Sequence, residues 1–124
     1  LRDALVGLPD PVSRSAANYR NHDFQPGARM YKGHTGSLLD APSKALKAGG
    51  HGVPGGENMI RFYDGSVRYL TVRESARVQT FPDDYELHGA WGEAMRQLGN
   101  AVPVDLAEIV ARQIHAQLAM AGSR

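Results

Sequence analysis

Two local signals stand back to back in this 124-residue chain: a hairpin turn, and then a helix cap. Met59-Ile60-Arg61-Phe62-Tyr63 and Ser66-Val67-Arg68-Tyr69-Leu70 flank Asp64-Gly65. Apolar residues interleave with Arg61 and Arg68, as half-buried strands require, and Asp-Gly favours a two-residue hairpin turn. Thr71-Val72-Arg73-Glu74 follows at once. Thr71 at the N-cap and Glu74 three residues later form a capping box. A short helix is therefore predicted through about Gln79, stopped by Phe81-Pro82.

The punctuation on either side is uneven. Five of the seven prolines and ten of the fourteen glycines precede residue 66, and the stretch 49–56 is the densest glycine patch. That composition reads as loop. Downstream, Trp91 to Leu98 reads as a second helix with Gly99 as its left-handed stop. Pro103 suits the first residue of a third helix, because its missing N–H costs nothing there. Leu106, Ile109, Val110, Ile114 and Leu118 recur at helical spacing to about Ala119. Such a helix would be roughly 25 Å long and needs a surface to pack against. Strand-rich first and helical last, the chain is expected to be α+β.

Composition bounds the chemistry. Hydrophobic residues make up 42% and charged residues 22%, an ordinary globular balance for one modest domain or a small domain with a helical tail. Cysteine is absent, which removes disulfides, thiolate zinc sites and a cysteine nucleophile from this polypeptide. No apolar run approaches the ~18 residues of a membrane span. His22, His34, His51 and Glu57 lack metal-ligand spacing, so no metal is expected. The serines sit in no nucleophile-elbow context. Because the chain opens on Leu1, it is expected to be a piece of something longer.

The net charge of +1 hides an asymmetry. Between residues 11 and 56, six basic residues face two acidic ones, whereas residues 57–124 carry seven against nine. The middle is a locally basic stretch able to follow a phosphate backbone, or simply a solvated basic loop.

Two blocks then carry a resemblance. Arg68-Tyr69-Leu70-Thr71-Val72-Arg73-Glu74-Ser75-Ala76-Arg77-Val78-Gln79-Thr80-Phe81-Pro82 resembles the ninth conserved block of DNA cytosine-5 methyltransferases. Arg96-Gln97-Leu98-Gly99-Asn100-Ala101-Val102-Pro103 resembles their tenth, in the usual order and at the usual distance. Asp40 to Lys47 looks like the end of their target-recognition domain. The resemblance implies residues 1–66 as a DNA-binding target-recognition region. It implies 67–124 as the segment that returns to complete the α/β S-adenosylmethionine-dependent methyltransferase domain. Residues 67–124 would contribute three helices. Such enzymes extrude a cytosine from the duplex, because a ring carbon inside the stack is out of reach.

Residue roles follow from the same resemblance. Asn100, Ala101 and Val102 would border the S-adenosylmethionine pocket; without it, Gly99-Asn100 is a helix stop and a turn. Lys44, Lys47 and the loop containing Gly49, Gly50 and His51 would approach double-stranded DNA, with Arg29, Lys32 and His34 as further contacts. The family has Thr where this chain has Ala45. Arg68, Thr71, Arg73, Glu74, Arg77 and Gln79 read as scaffolding, with an Arg77–Glu74 helix-surface pair expected. The family's Pro-Cys nucleophile block, glycine-rich cofactor loop, Glu-Asn-Val block and Gln-x-Arg-x-Arg block are missing. Glu57-Asn58-Met59 resembles the third of these but lies on the wrong side of the recognition region and reads as a loop-to-strand junction.

The expected partner is accordingly a missing N-terminal catalytic domain or a separate larger subunit, with no membrane involved. The setting implied is the cytoplasm, on nucleoid DNA. A stand-alone DNA-binding module is the rival reading.

Overall fold

The computed structural model describes residues 1–47 and 58–123, so the 49–56 loop lies outside the described residues. A helical turn α1 (Arg2–Leu5) and a 3-10 turn (Arg14–Asn18) open the chain. Strands β1 (Ser37–Leu38), β2 (Met59–Arg61) and β3 (Val67–Tyr69) follow, and then helices α2 (Val72–Val78), α3 (Trp91–Asn100) and α4 (Val104–Gly122). The α+β arrangement is therefore present. The first third is more turn than strand.

β2 is the middle strand, parallel to β1 and antiparallel to β3. β1 comes so close that a Cβ on Gly36 would sit 3.3 Å from both the Met59 carbonyl and the Arg61 amide. The hairpin corrects the expected turn. Met59 faces Tyr69, Arg61 faces Val67 and the Phe62 amide donates to Ser66, which leaves a three-residue loop, Tyr63-Asp64-Gly65. A two-residue turn of the mirror-image type needs positive φ at both central residues. Here only Gly65, at φ +86°, has it, and its amide closes the turn on the Phe62 carbonyl.

α2 is the buried axis of the molecule. Val72, Arg73, Glu74, Ser75 and Ala76 are all buried. The capping box forms as expected: Thr71 Oγ1 accepts from the Glu74 amide at 3.1 Å, and Glu74 Oε2 accepts from the Thr71 amide at 2.8 Å. The far end is a Schellman motif, with the Phe81 amide bonded to the Ala76 carbonyl and the Thr80 amide to Arg77. Its left-handed residue is Thr80, at φ +59°. Phe81, expected to stop the helix, packs on the core instead.

The core lies between β2, α2 and α3 and contains Leu46, Ile60, Leu70, Val72, Ala76, Leu87, Ala94, Met95 and Leu98. α3 departs from expectation at its end. Gly99 is not left-handed; the helix runs through Asn100 and leaves by an extended Ala101. Pro103 is the cap before α4 rather than its first residue. α4 buries no residue, and its apolar stripe stands in solvent, with Ile109 and Leu118 each 65% exposed. Among the described residues, no helix is long and apolar enough to cross a membrane.

Neighbouring positions on α2 should respond oppositely to truncation. Ser75 Oγ is buried with no hydrogen-bond partner among the described residues, so Ser75→Ala should raise stability by about 1 kcal/mol in urea unfolding. Arg73→Leu should lower it by about 3 kcal/mol or more, since several buried acceptors lose their donor. The exposed α4 stripe should drive self-association of the 124-residue chain. Sedimentation equilibrium should detect it, and the Ile109→Glu, Ile114→Glu double variant should abolish it.

Candidate functional site

The segment Asn100–Val102 emerges where α3 ends, and its outer side is open. Asn100 is exposed, its amide making no hydrogen bond among the described residues, and Val102 is 59% exposed. Its inner side is fastened to the end of α2. Buried Gln79 donates through Nε2 to the carbonyls of Leu98 at 2.7 Å and Ala101 at 3.0 Å. The Gln79 carbonyl accepts from the Val104 amide at 3.0 Å, and Thr80 Oγ1 accepts from the Asp105 amide at 2.9 Å. The first two free amides of α4 are thus capped by residues some twenty-five positions upstream.

A second face is basic and aromatic. Tyr31 and His34 exchange backbone hydrogen bonds of 3.2 and 2.8 Å, forming a minimal hairpin with Lys32-Gly33 at its tip and ring centroids 4.3 Å apart. A groove of about 750 Å³ beside it is lined by Gly27, Arg29, Met30, Tyr31 and Tyr69. Arg29 and Lys32 are exposed and make no ion pair or hydrogen bond among the described residues. Tyr69 is backed by Trp91, 5.0 Å between centroids. Arg29 thus lines the groove, with Lys32 and His34 on the adjoining hairpin; Tyr69 has no signature in sequence, because it reaches the groove from a distant segment.

Lys44 lies nearby in sequence but is otherwise engaged. Its amide donates to Ser37 Oγ at 3.0 Å and its ammonium to Thr35 Oγ1 at 3.3 Å. Lys47 is held by Asn58, whose side chain accepts from the Lys47 amide and donates to its carbonyl, both at 3.2 Å. Asn58 is fully buried in this role, that of a junction between loop and strand. Leu46 is a core residue. Gly49, Gly50 and His51 lie outside the described residues.

The scaffold block is dense with charge. Arg68 makes a bidentate pair with Glu74, 2.7 Å on both arms. That occupies the carboxylate expected to meet Arg77, which turns instead to Asp83 at 2.6 and 2.8 Å and to the Val6 carbonyl. The Arg77 guanidinium holds the Asp83 carboxyl below its ordinary value, against a smaller opposing effect of burial. Arg73, with no exposed surface, is pulled down from the ordinary guanidinium value chiefly by burial. Buried His22 connects this block to the start of the chain: Nε2 donates to the Pro9 carbonyl and Nδ1 meets the Thr71 hydroxyl, both at 2.8 Å. Among the described residues, no group of three or more His, Asp or Glu side chains could hold a metal ion.

The family of C-5 cytosine-specific DNA methylases matches residues 12–116. The chain belongs to that family. It is 43% identical over 75 residues to the Type II methyltransferase M.PspPI of Psychrobacter, covering 60% of this chain and 17% of that protein. It is 48% identical over 89 residues to M.AplI of Arthrospira platensis, covering 69% and 25%. Against DNA (cytosine-5)-methyltransferase 2 of Arabidopsis thaliana, identity is 41% over 115 residues, covering 93% of this chain and 7% of that one. The chain thus spans a quarter or less of the length of each.

The Arg77–Asp83 pair sets an acid limit. A carboxyl whose folded pKa is lowered stabilises the fold above its unfolded value, about 3.9, and that contribution fades as pH falls through the lower folded value. The stability difference between wild type and Asp83→Asn, read by thermal unfolding, should therefore be constant above about pH 5 and shrink below about pH 4.

Proposed function

We propose that this chain is the target-recognition and cofactor-returning segment of a DNA (cytosine-5-)-methyltransferase, divided near residue 66. The family match over residues 12–116 carries the reading. Residues 1–66 would dock on double-stranded DNA, with Arg29 and Lys32 neutralising phosphates and His34, Lys44 and Lys47 beside them. The Gly49, Gly50 and His51 loop belongs to the same proposal. Residues 67–124 would return to the catalytic domain, with Arg68, Thr71, Arg73, Glu74, Arg77 and Gln79 as their frame.

Asn100, Ala101 and Val102 would form one wall for S-adenosylmethionine. When bound, that cofactor supplies the methyl group. The Asn100 amide can donate to and accept from the polar ends of such a ligand, and Val102 can cover its apolar parts. The nucleophile must come from elsewhere, since this chain has no cysteine; alone it is proposed to be inactive. The bare stripe of α4 favours a catalytic domain or larger subunit as its cover over a stand-alone DNA-binding module. The proposed setting is cytoplasmic, on DNA.

Methyl transfer from labelled S-adenosylmethionine to mixed-sequence DNA tests the reading. The chain alone should be silent, and the chain joined or mixed with the upstream catalytic polypeptide should be active. Methylation by the chain alone would overturn it, and silence in both would turn attention to DNA binding without catalysis.

A further inference from the structure

Two consecutive residues hold the whole of the wall segment from behind. Gln79 supplies three hydrogen bonds, two from its side chain and one through its carbonyl, and Thr80 supplies the fourth. They bracket the link between α3 and α4 at Leu98, Ala101, Val104 and Asp105. Because α4 buries none of its residues, little else among the described residues restrains where that link lies.

Thr80 is the unexpected participant. A Schellman motif places its left-handed residue where glycine is usual, and a β-branched side chain there is strained. Thr80 nevertheless takes φ +59°. Glycine would relieve the backbone but could not cap the Asp105 amide. The strain is therefore tied to the hydroxyl and, through it, to the placement of α4.

We propose that Gln79 and Thr80 are positioning residues for cofactor binding, fixing the Asn100–Val102 wall so that its free amide meets S-adenosylmethionine; this rests on the functional reading above. Neither side chain would touch the cofactor. Gln79 replaces the donors that α3's last carbonyls would otherwise seek in water, and Thr80 stands in for the side-chain cap that Pro103 cannot supply.

The test uses the chain joined to its upstream catalytic polypeptide. Gln79→Met and Thr80→Gly should each raise the KM for S-adenosylmethionine about tenfold, with kcat and the KM for DNA unchanged. Thr80→Asn should stay near wild type, since asparagine tolerates the left-handed backbone and retains an acceptor. Thr71→Ala, which loosens the opposite end of α2, should leave the cofactor KM unchanged. An unaltered cofactor KM in Gln79→Met and Thr80→Gly, or an equal rise in Thr71→Ala, would overturn the proposal. If Gln79→Met does not fold, the Thr80→Gly and Thr80→Asn pair carries the same comparison.

A separate readout needs no activity. In the 124-residue chain, amide exchange at Val104 and Asp105 should be faster in Thr80→Gly than in Thr80→Asn; equal rates would overturn the clamp. Absence of methyl transfer by the unsubstituted enzyme would count against the functional reading, with the exchange comparison still deciding the clamp.

Discussion

The Arg73 guanidinium, wholly buried, is the constraint on which the rest of the structure depends. Among the described residues it meets no carboxylate. Nε donates to the Arg20 carbonyl at 3.0 Å, Nη1 to Pro82 at 3.1 Å, and Nη2 to Tyr85 at 2.6 Å and to Asn21 Oδ1 at 3.5 Å. Burying a charge is costly unless its donors are satisfied, and here backbone carbonyls from two distant loops satisfy them. Neither loop has regular structure of its own. Asn21, itself left-handed at φ +60°, adds a paired amide contact with the backbone of Leu87. Arg73 thus makes loops into a scaffold.

That explains why so short a helix organises so much. Through Thr71 and His22, α2 reaches the Pro9 turn; through Arg73, loops near residues 20 and 85; through Arg77, the end of α1 and Asp83. Through Gln79 and Thr80 it reaches the start of α4. The loop at Asn21 and His22, which leads towards the segment proposed to face DNA, and the segment proposed to face the cofactor are bonded at opposite ends of seven residues. Among the described residues, α4 is hydrogen-bonded to the rest of the fold only at its first turn and buries none of its residues.

Legibility in the sequence tracked the range of the interaction. The capping box at Thr71 and Glu74 spans three positions and was readable because both partners lie in one turn. The hairpin was readable in place but not in register, since Asp-Gly suits a two-residue loop as well as the three-residue one adopted. Gly99 reads as a stop from its residue type, but α3 runs one residue further and leaves through an extended Ala101, where the Gln79 side chain donates to the carbonyls of Leu98 and Ala101. Arg77 lies three residues after Glu74 yet pairs with Asp83, because Arg68 on the adjoining strand takes both Glu74 oxygens. At the candidate site, Arg29, Lys32 and His34 were visible as basic residues, whereas Tyr69's place beside them was not.

By itself, the sequence determined the hairpin and the three helices after it, the amphipathic stripe of α4, the lack of any thiolate and the family. Each depends on residue type or on spacing within a few positions. Tertiary structure alone decided that a charged arginine would lie in the interior and that a threonine would be left-handed. It also decided that a glutamine and that threonine, rather than local residues, would cap α4. Those outcomes depend on which backbone groups from remote segments are left without partners, and only the folded chain brings the donors to them.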